Sequence, residues 1–176
     1  TPITLEDGST EIISKIVNQK MNVEVLYYNF DTGKVEPKKI TNWYRNTKKP
    51  EDGPTLLKIN FGYGNTGFGN SVRCTRSHNF YTPEGEKIQA KDLQEGDRIL
   101  RVCETKPSSE QKYHTAISYV SSVEECVPKH KANKYVYDIE VEDNHNYFAG
   151  GALVSNCTAF KNTASQTHKV CKNIAD

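Results

Sequence analysis

The sequence predicts an all-β protein, and three observations carry that prediction. The candidate segments are short and rich in β-branched and aromatic residues, and turn signals punctuate them. Only one stretch places apolar residues at helical spacing. Neither the long amphipathic runs of a helical bundle nor the strand and helix alternation of a parallel α/β sheet is present.

Taken in order, Pro2 to Leu5 alternates apolar and polar residues and stops at Glu6-Asp7-Gly8, a hairpin-type turn. Ser9-Thr10-Glu11 leads into Ile12, Ile13, Ile16 and Val17, whose spacing predicts the helix, with Ser9 or Thr10 as its cap. Val23 to Phe30 and Lys34 to Tyr44 flank Asp31-Thr32-Gly33 and read as a hairpin. Pro50 to Pro54 reads as loop. Leu56 to Phe61 and Ser71 to Thr75 are strands around the glycine-rich Gly62 to Asn70. That connection is not a phosphate cradle, because it lacks a preceding parallel strand, a following helix and a Lys-Ser/Thr pair.

Phe80-Tyr81-Thr82 turns at Pro83-Glu84-Gly85, and Lys87-Ile88 continues the strand. Ala90 to Leu93 introduces Glu95-Gly96-Asp97 and the strand Arg98 to Val102. Cys103 to Tyr113 reads as a polar linker, and His114 to Val127 resumes an alternating strand. Tyr135 to Val141 and Tyr147 to Val154 are the last strand-like runs, with Asn144-His145 at the turn between them.

With 176 residues the chain is long enough to bury a core, and 35% hydrophobic content with a mean hydropathy of -0.73 implies one compact domain with a polar surface. A net charge of +1 provides no global basic field, so nucleic acid is not an expected partner. No apolar run approaches a membrane span and no signal-peptide pattern opens the chain, so a membrane partner is not expected and a cytoplasmic setting is. Five cysteines, Cys74, Cys103, Cys126, Cys157 and Cys171, are too scattered for a disulfide framework. Cys74 with His78 and Cys126 with His130 have a zinc-like spacing but not the tight turns of structural zinc sites, so buried thiols are the preferred reading and no metal is expected.

Two groups of residues carry chemistry. Asn156 precedes Cys157 near the end of the chain. An asparagine side-chain amide can attack its own main-chain carbonyl, closing a succinimide and cutting the chain, while the following cysteine offers a thiol nucleophile. Thr75 and His78, at the end of a strand, can both reach one main-chain amide, the hydroxyl as donor to an oxyanion and the imidazole as donor to a leaving nitrogen.

The order of these blocks resembles the inteins, the self-splicing members of the Hint superfamily. The likeness rests on Tyr137 to Cys157 (Tyr-Asp, alternating apolar residues, His-Asn-aromatic, then Asn-Cys), on Thr75-x-x-His78, and on Ile88 to Arg98 with its Leu93-x-x-Gly96-Asp97 ending. Thr1 to Gly8 is similar to the interior of the first block, after its Cys-x-x-x-Asp opening. The family's first residue, a cysteine or serine, would lie roughly five residues before Thr1, and Thr1 itself matches the block's interior threonine.

The resemblance implies a horseshoe of antiparallel strands with one or two short helices, spanning 1–156 without the first few family residues. The segment 157–176 would be flanking host sequence, a C-extein in which Cys171 is incidental. It implies single-turnover autocatalysis rather than a turnover enzyme, with no cofactor or energy source. Thr75 and His78 would activate the upstream junction, Cys157 would accept the acyl chain, Asn156 would cut the downstream junction, and His145 would polarise the Asn156 carbonyl or protonate the departing amine. Ser155 stands where many inteins have histidine, so His145 would carry more of the proton work. Asn144 stands where the family frequently has aspartate, so either Asp143 substitutes or the branching step is less well coordinated.

The Cys103 to Lys112 linker is too short for a homing endonuclease, which implies a mini-intein. The absent opening fits a truncated contiguous intein or the large C-terminal part of an atypically split one. In the split case the partner is a short N-terminal intein fragment carrying its own N-extein, and the host flanks are the substrates. Two other readings are a non-catalytic β-rich binding module, zinc-stabilised and using its ten tyrosines as a contact surface, and a Hint autocleavage domain.

Overall fold

Strand pairing in the computed structural model is antiparallel throughout its described residues, which are 1–48, 50, 53, 55–62, 67–105, 110–127, 135–143, 146–156, 158–161, 167–170 and 174–175, the side chains of 158–161 and 167–170 excepted. Pro2–Thr4 (β1) and Thr10–Ile12 (β2) form the first hairpin, with Thr4 opposite Thr10 and Pro2 opposite Ile12. Gly8 takes the left-handed conformation in the turn, φ 82°. This hairpin corrects the predicted helix start. Ser9 and Thr10 are used by the turn and by β2, Ser9 bonding to Asp7, and the helix Ile13–Asn18 (α1) begins after Ile12 with no side-chain cap. Its buried face is Ile13, Ile16 and Val17, the predicted i, i+3, i+4 set.

The strands Glu24–Asn29 (β3) and Lys34–Thr47 (β4) form the hairpin around Asp31-Thr32-Gly33, with β4 longer than expected. Leu56–Phe61 (β5), Ser71–Cys74 (β6), Asn79–Tyr81 (β7) and Lys87–Gln89 (β8) precede a 3-10 turn at Ala90–Asp92. Arg98–Glu104 (β9) and Tyr113–Cys126 (β10) follow, then Tyr135–Val141 (β11), Asn146–Ala149 (β12) and Ala152–Ser155 (β13). Thr158–Lys161 (β14) and Thr167–Val170 (β15) form a separate hairpin, and Ile174–Ala175 (β16) returns to the main sheet. The expected loop Pro50 to Pro54 lies mostly outside the described residues.

Two long strands bend the sheet into the predicted horseshoe. β10 pairs with β9 up to Tyr119 and with β5 from Val120, and a register shift lies between Val120 and Ser122. β4 likewise pairs with β3 in its first half and with β11 in its second. The order β2-β1-β12-β13-β9-β10-β5-β6-β16-β11-β4-β3 then folds back on itself. Leu5 bridges Val25, and Asn146 clasps the Tyr28 backbone, its Nδ2 donating to the Tyr28 carbonyl at 3.0 Å and its Oδ1 accepting the Tyr28 N–H at 2.9 Å. Between the limbs lies a core that includes Ile3, Ile16, Ile59, Phe80, Ile99, Ile139 and Tyr147. No helix among the described residues is long and apolar enough to cross a membrane.

Candidate functional site

The Thr75–His78 turn leaves β6 and enters β7, and local hydrogen bonds fix it. The His78 N–H donates to the Thr75 carbonyl at 3.2 Å. The 3-10 turn then binds it from outside, as the Ala90 N–H donates to the His78 carbonyl at 2.8 Å and the Lys91 N–H to the Arg76 carbonyl at 2.9 Å. The Ile88-to-Arg98 block therefore braces the Thr-x-x-His motif. Both Thr75 and His78 are buried, and the imidazole stands edge-on to Phe80 with ring centroids 5.8 Å apart.

Strand pairing brings Asn156 to this turn. Val154 of β13 lies opposite Phe80 of β7, and the antiparallel register continued by two residues sets Asn156 opposite His78. Asn156 and Ser155 are both buried. Ser155 Oγ donates to the Asn156 carbonyl oxygen at 3.3 Å, the oxygen that would carry charge if the side-chain amide attacked. Burial raises the Tyr81 phenol above its ordinary pKa, and a hydrogen bond with Ser155 offsets part of that rise. Sequence reasoning missed Tyr81, because only the pairing of β7 with β13 brings it to Ser155.

Asp143 is exposed and holds a left-handed backbone, φ 51°. Asn144, His145 and Cys157 lie outside the described residues. A second carboxyl group, Asp138, is fully buried on β11, where its Oδ1 accepts the Tyr147 hydroxyl at 2.9 Å and the Ile139 N–H at 2.8 Å. Tyr137, which precedes Asp138, lies level with Ile174 of β16 and with Cys74 of β6, which precedes Thr75. The sequence quoted Asp138 within its Tyr-Asp pair without giving it a role.

Cys74 adjoins Thr75 but is no candidate nucleophile. It is fully buried, and desolvation pushes its thiol well above the usual range. We expect a maleimide to leave Cys74 unmodified in the native protein at neutral pH and to react with it after denaturation, as read by peptide mapping. Native labelling of Cys74 as fast as of the half-buried Cys103 would contradict this placement.

A family model described as Intein splicing domain matches residues 3–156. Among curated proteins, RecA of Mycobacterium gastri is 45% identical over 101 residues, which cover 57% of this chain and 23% of that protein. RecA of Mycobacterium leprae is 37% identical over 119 residues, 66% of this chain and 16% of that protein. The chain thus spans less than a quarter of the length of these relatives. The G-1F mutant of the Ssp DnaB mini-intein variant M86 superposes with a TM-score of 0.70 at 18% identity, covering 88% of this chain and 94% of that one. The DnaX mini intein from Spirulina platensis gives 0.65 at 28% identity, with 88% and 95% covered. The bacterial intein-like domain from Clostridium thermocellum gives 0.64 at 22%, with 88% and 94% covered.

Proposed function

The chain belongs to the intein splicing-domain family and is a protein-splicing domain, and we propose that Asn156 cyclises to cut the bond to Cys157 while the Cys157 thiol receives an acyl group from an upstream junction. The observation that carries this reading is the register of β13 on β7, which delivers a buried Asn156 to the Thr75–His78 turn. Cyclisation of asparagine is slow in a free chain because the amide nitrogen is a weak nucleophile and rarely meets its carbonyl, so a fixed near-attack pose is the main resource.

The residues divide the work. Asn156 supplies the nucleophilic nitrogen, and the Ser155 hydroxyl donates to the carbonyl oxygen as charge develops there. His78 and Thr75 act on the upstream amide, one on its leaving nitrogen and one on its oxygen. His145 serves as proton donor to the departing Cys157 amine. Asp138, buried and bonded to the Tyr147 hydroxyl and the Ile139 N–H, is a second carboxyl beside Asp143 for aligning the acyl-transfer step.

Intact mass over hours at neutral pH with reductant tests the reading. The expected product is the fragment 1–156 ending in a succinimide, one water lighter than the free acid. An unchanged mass in a folded sample would sink it and return the binding-module reading to the front. Ser155→Ala is expected to slow formation of this fragment by about 10–100-fold, less than the roughly 10²–10³-fold for losing one well-placed oxyanion donor, because this bond is long at 3.3 Å. A rate within twofold of the parent would assign the Ser155 hydroxyl no part in the step.

A further inference from the structure

The segment after Asn156 places one short strand, β16, in the main sheet. β14 and β15 pair with each other, Thr158 opposite Val170 and Lys161 opposite Thr167, so the chain goes out and comes back to where it started. β16 then enters the main sheet between β6 and β11, with Ile174 opposite both Cys74 and Tyr137 and Ala175 opposite Arg73. Ile174 and Ala175 are buried, at 0% and 2% exposure. Thr1 closes on this strand, as its Oγ1 donates to the Ala175 carbonyl at 2.5 Å and accepts the Arg73 N–H at 3.3 Å. β16 is thus a buried strand of the main sheet, set beside Thr1.

The direction of β16 matters as much as its place. From Ala175 back to Ile174 the strand advances along β6 from Arg73 to Cys74, and the next residue of β6's chain is Thr75. In the sequence, Cys171 stands three positions before Ile174. Asn156 approaches the Thr75–His78 turn from β13. In the sequence, Cys157 and Cys171 bracket the segment that holds β14 and β15, and Thr158 and Val170, just inside them, are paired.

We propose that Cys171 is the upstream nucleophile, that Cys171 to Ala175 serves as the opening segment of the splicing domain, and that the reaction joins Cys157 to Val170 head to tail as a cyclic peptide. The proposal rests on the splicing reading above. The junctions then occur in reversed order along the chain, and the excised product and the ligated product are exchanged: what lies between the junctions outside the domain is a single segment with both ends reactive. The run Cys171-Lys172-Asn173-Ile174-Ala175-Asp176 is one residue longer than the Cys-x-x-x-Asp opening.

The bonds balance without an oxidant, a reductant or added water. The Cys171 thiol adds to the Val170 carbonyl, the Val170–Cys171 amide breaks to a thioester, and the Cys171 amine takes the proton. The Cys157 thiol displaces Cys171 from that thioester. The Asn156 amide nitrogen then attacks its own carbonyl, breaking the Asn156–Cys157 bond and freeing the Cys157 amine. That amine attacks the thioester, which leaves Val170 and Cys157 in an ordinary amide and restores the Cys157 thiol. The peptides 1–156 and 171–176 remain.

The test is mass spectrometry of the low-molecular-weight products of the full chain, incubated at neutral pH with a non-nucleophilic reductant. The expected species is a peptide of composition Cys157 to Val170, one water lighter than its linear form and resistant to aminopeptidase and carboxypeptidase. Release of linear Cys157 to Asp176 with no ring would overturn the proposal while leaving Asn156 cyclisation intact. Release of nothing from a folded chain would overturn both. Independently, Asn156→Ala treated with excess dithiothreitol is expected to shed the peptide Cys171 to Asp176 by cleavage after Val170, and Cys171→Ala in that background is expected to abolish this cleavage. Cleavage that persists in the double variant, or a ring formed by the single Cys171→Ala chain, would show that Cys171 is not the nucleophile.

Discussion

Asn156→Ala is expected to reduce formation of the 1–156 fragment by about 10³-fold or more, to below detection over hours. The estimate follows from the source of the rate: holding two groups in a near-attack pose supplies effective molarities of about 10⁵–10⁸ M, and alanine has no nitrogen to hold. Water is a poor substitute, because Asn156 is only 3% exposed and its carbonyl is engaged by Ser155. The substitution falls just past β13, so the pairings of Val154 with Phe80 and of Asn146 with Ser155 persist and the variant is expected to fold. Time-resolved intact mass checks it. Cleavage at the parental rate would mean that the bond is cut by hydrolysis or by another nucleophile, and the Asn156 assignment would fail.

What the sequence made legible were features with a local pattern. The hairpin at Asp31-Thr32-Gly33, the short helix over Ile13, Ile16 and Val17 and the order of the functional blocks all have signatures that do not depend on distant partners. The helix cap failed because Ser9 and Thr10 satisfy a hairpin as readily as an N-cap, and only the pairing of β1 with β2 decides between them. Asp138 was overlooked for a different reason. β11 is covered on both faces, its residues from Val136 to Ile139 all buried, so alternation no longer separates an outward polar residue from one placed inside. The two-residue strand β16 is too short for any periodicity, and its polar surroundings read as a tail. Its burial exists only because β6 and β11 leave a strand-wide gap between them. Tyr81 and Ser155 are likewise joined only by the register of β7 on β13.

That register depends on a turn remote from the reacting bond, and Gly150→Ala is expected to damage both stability and cleavage. Ala149 and Ala152 pair across Gly150 and Gly151, both with positive φ, 57° and 88°, the two-residue arrangement that favours glycine at each centre. A Cβ on Gly150 would collide with the Ser71 carbonyl oxygen and stand 2.9 Å from its carbon, and backbone cannot rotate away as a side chain can. Left-handed strain and overpacking together are expected to cost about 3 kcal/mol or more, a fall of roughly 6–12 °C in Tm for a domain of this size. Relief by sliding β12 and β13 off β6 would carry Ser155 and Asn156 away from Tyr81 and His78, so cleavage should slow even at temperatures where the variant is fully folded. Gly67→Ala is the control: its φ is 80°, but a Cβ there meets nothing within 4 Å among the described residues, and backbone strain alone predicts a loss of about 1–2 kcal/mol with cleavage unaffected. Thermal unfolding and cleavage rate measured on both variants separate the two causes. Equal losses would assign the effect to φ alone, whereas a larger fall with slowed cleavage for Gly150→Ala would show that the contact of this turn with Ser71 sets the position of the scissile bond.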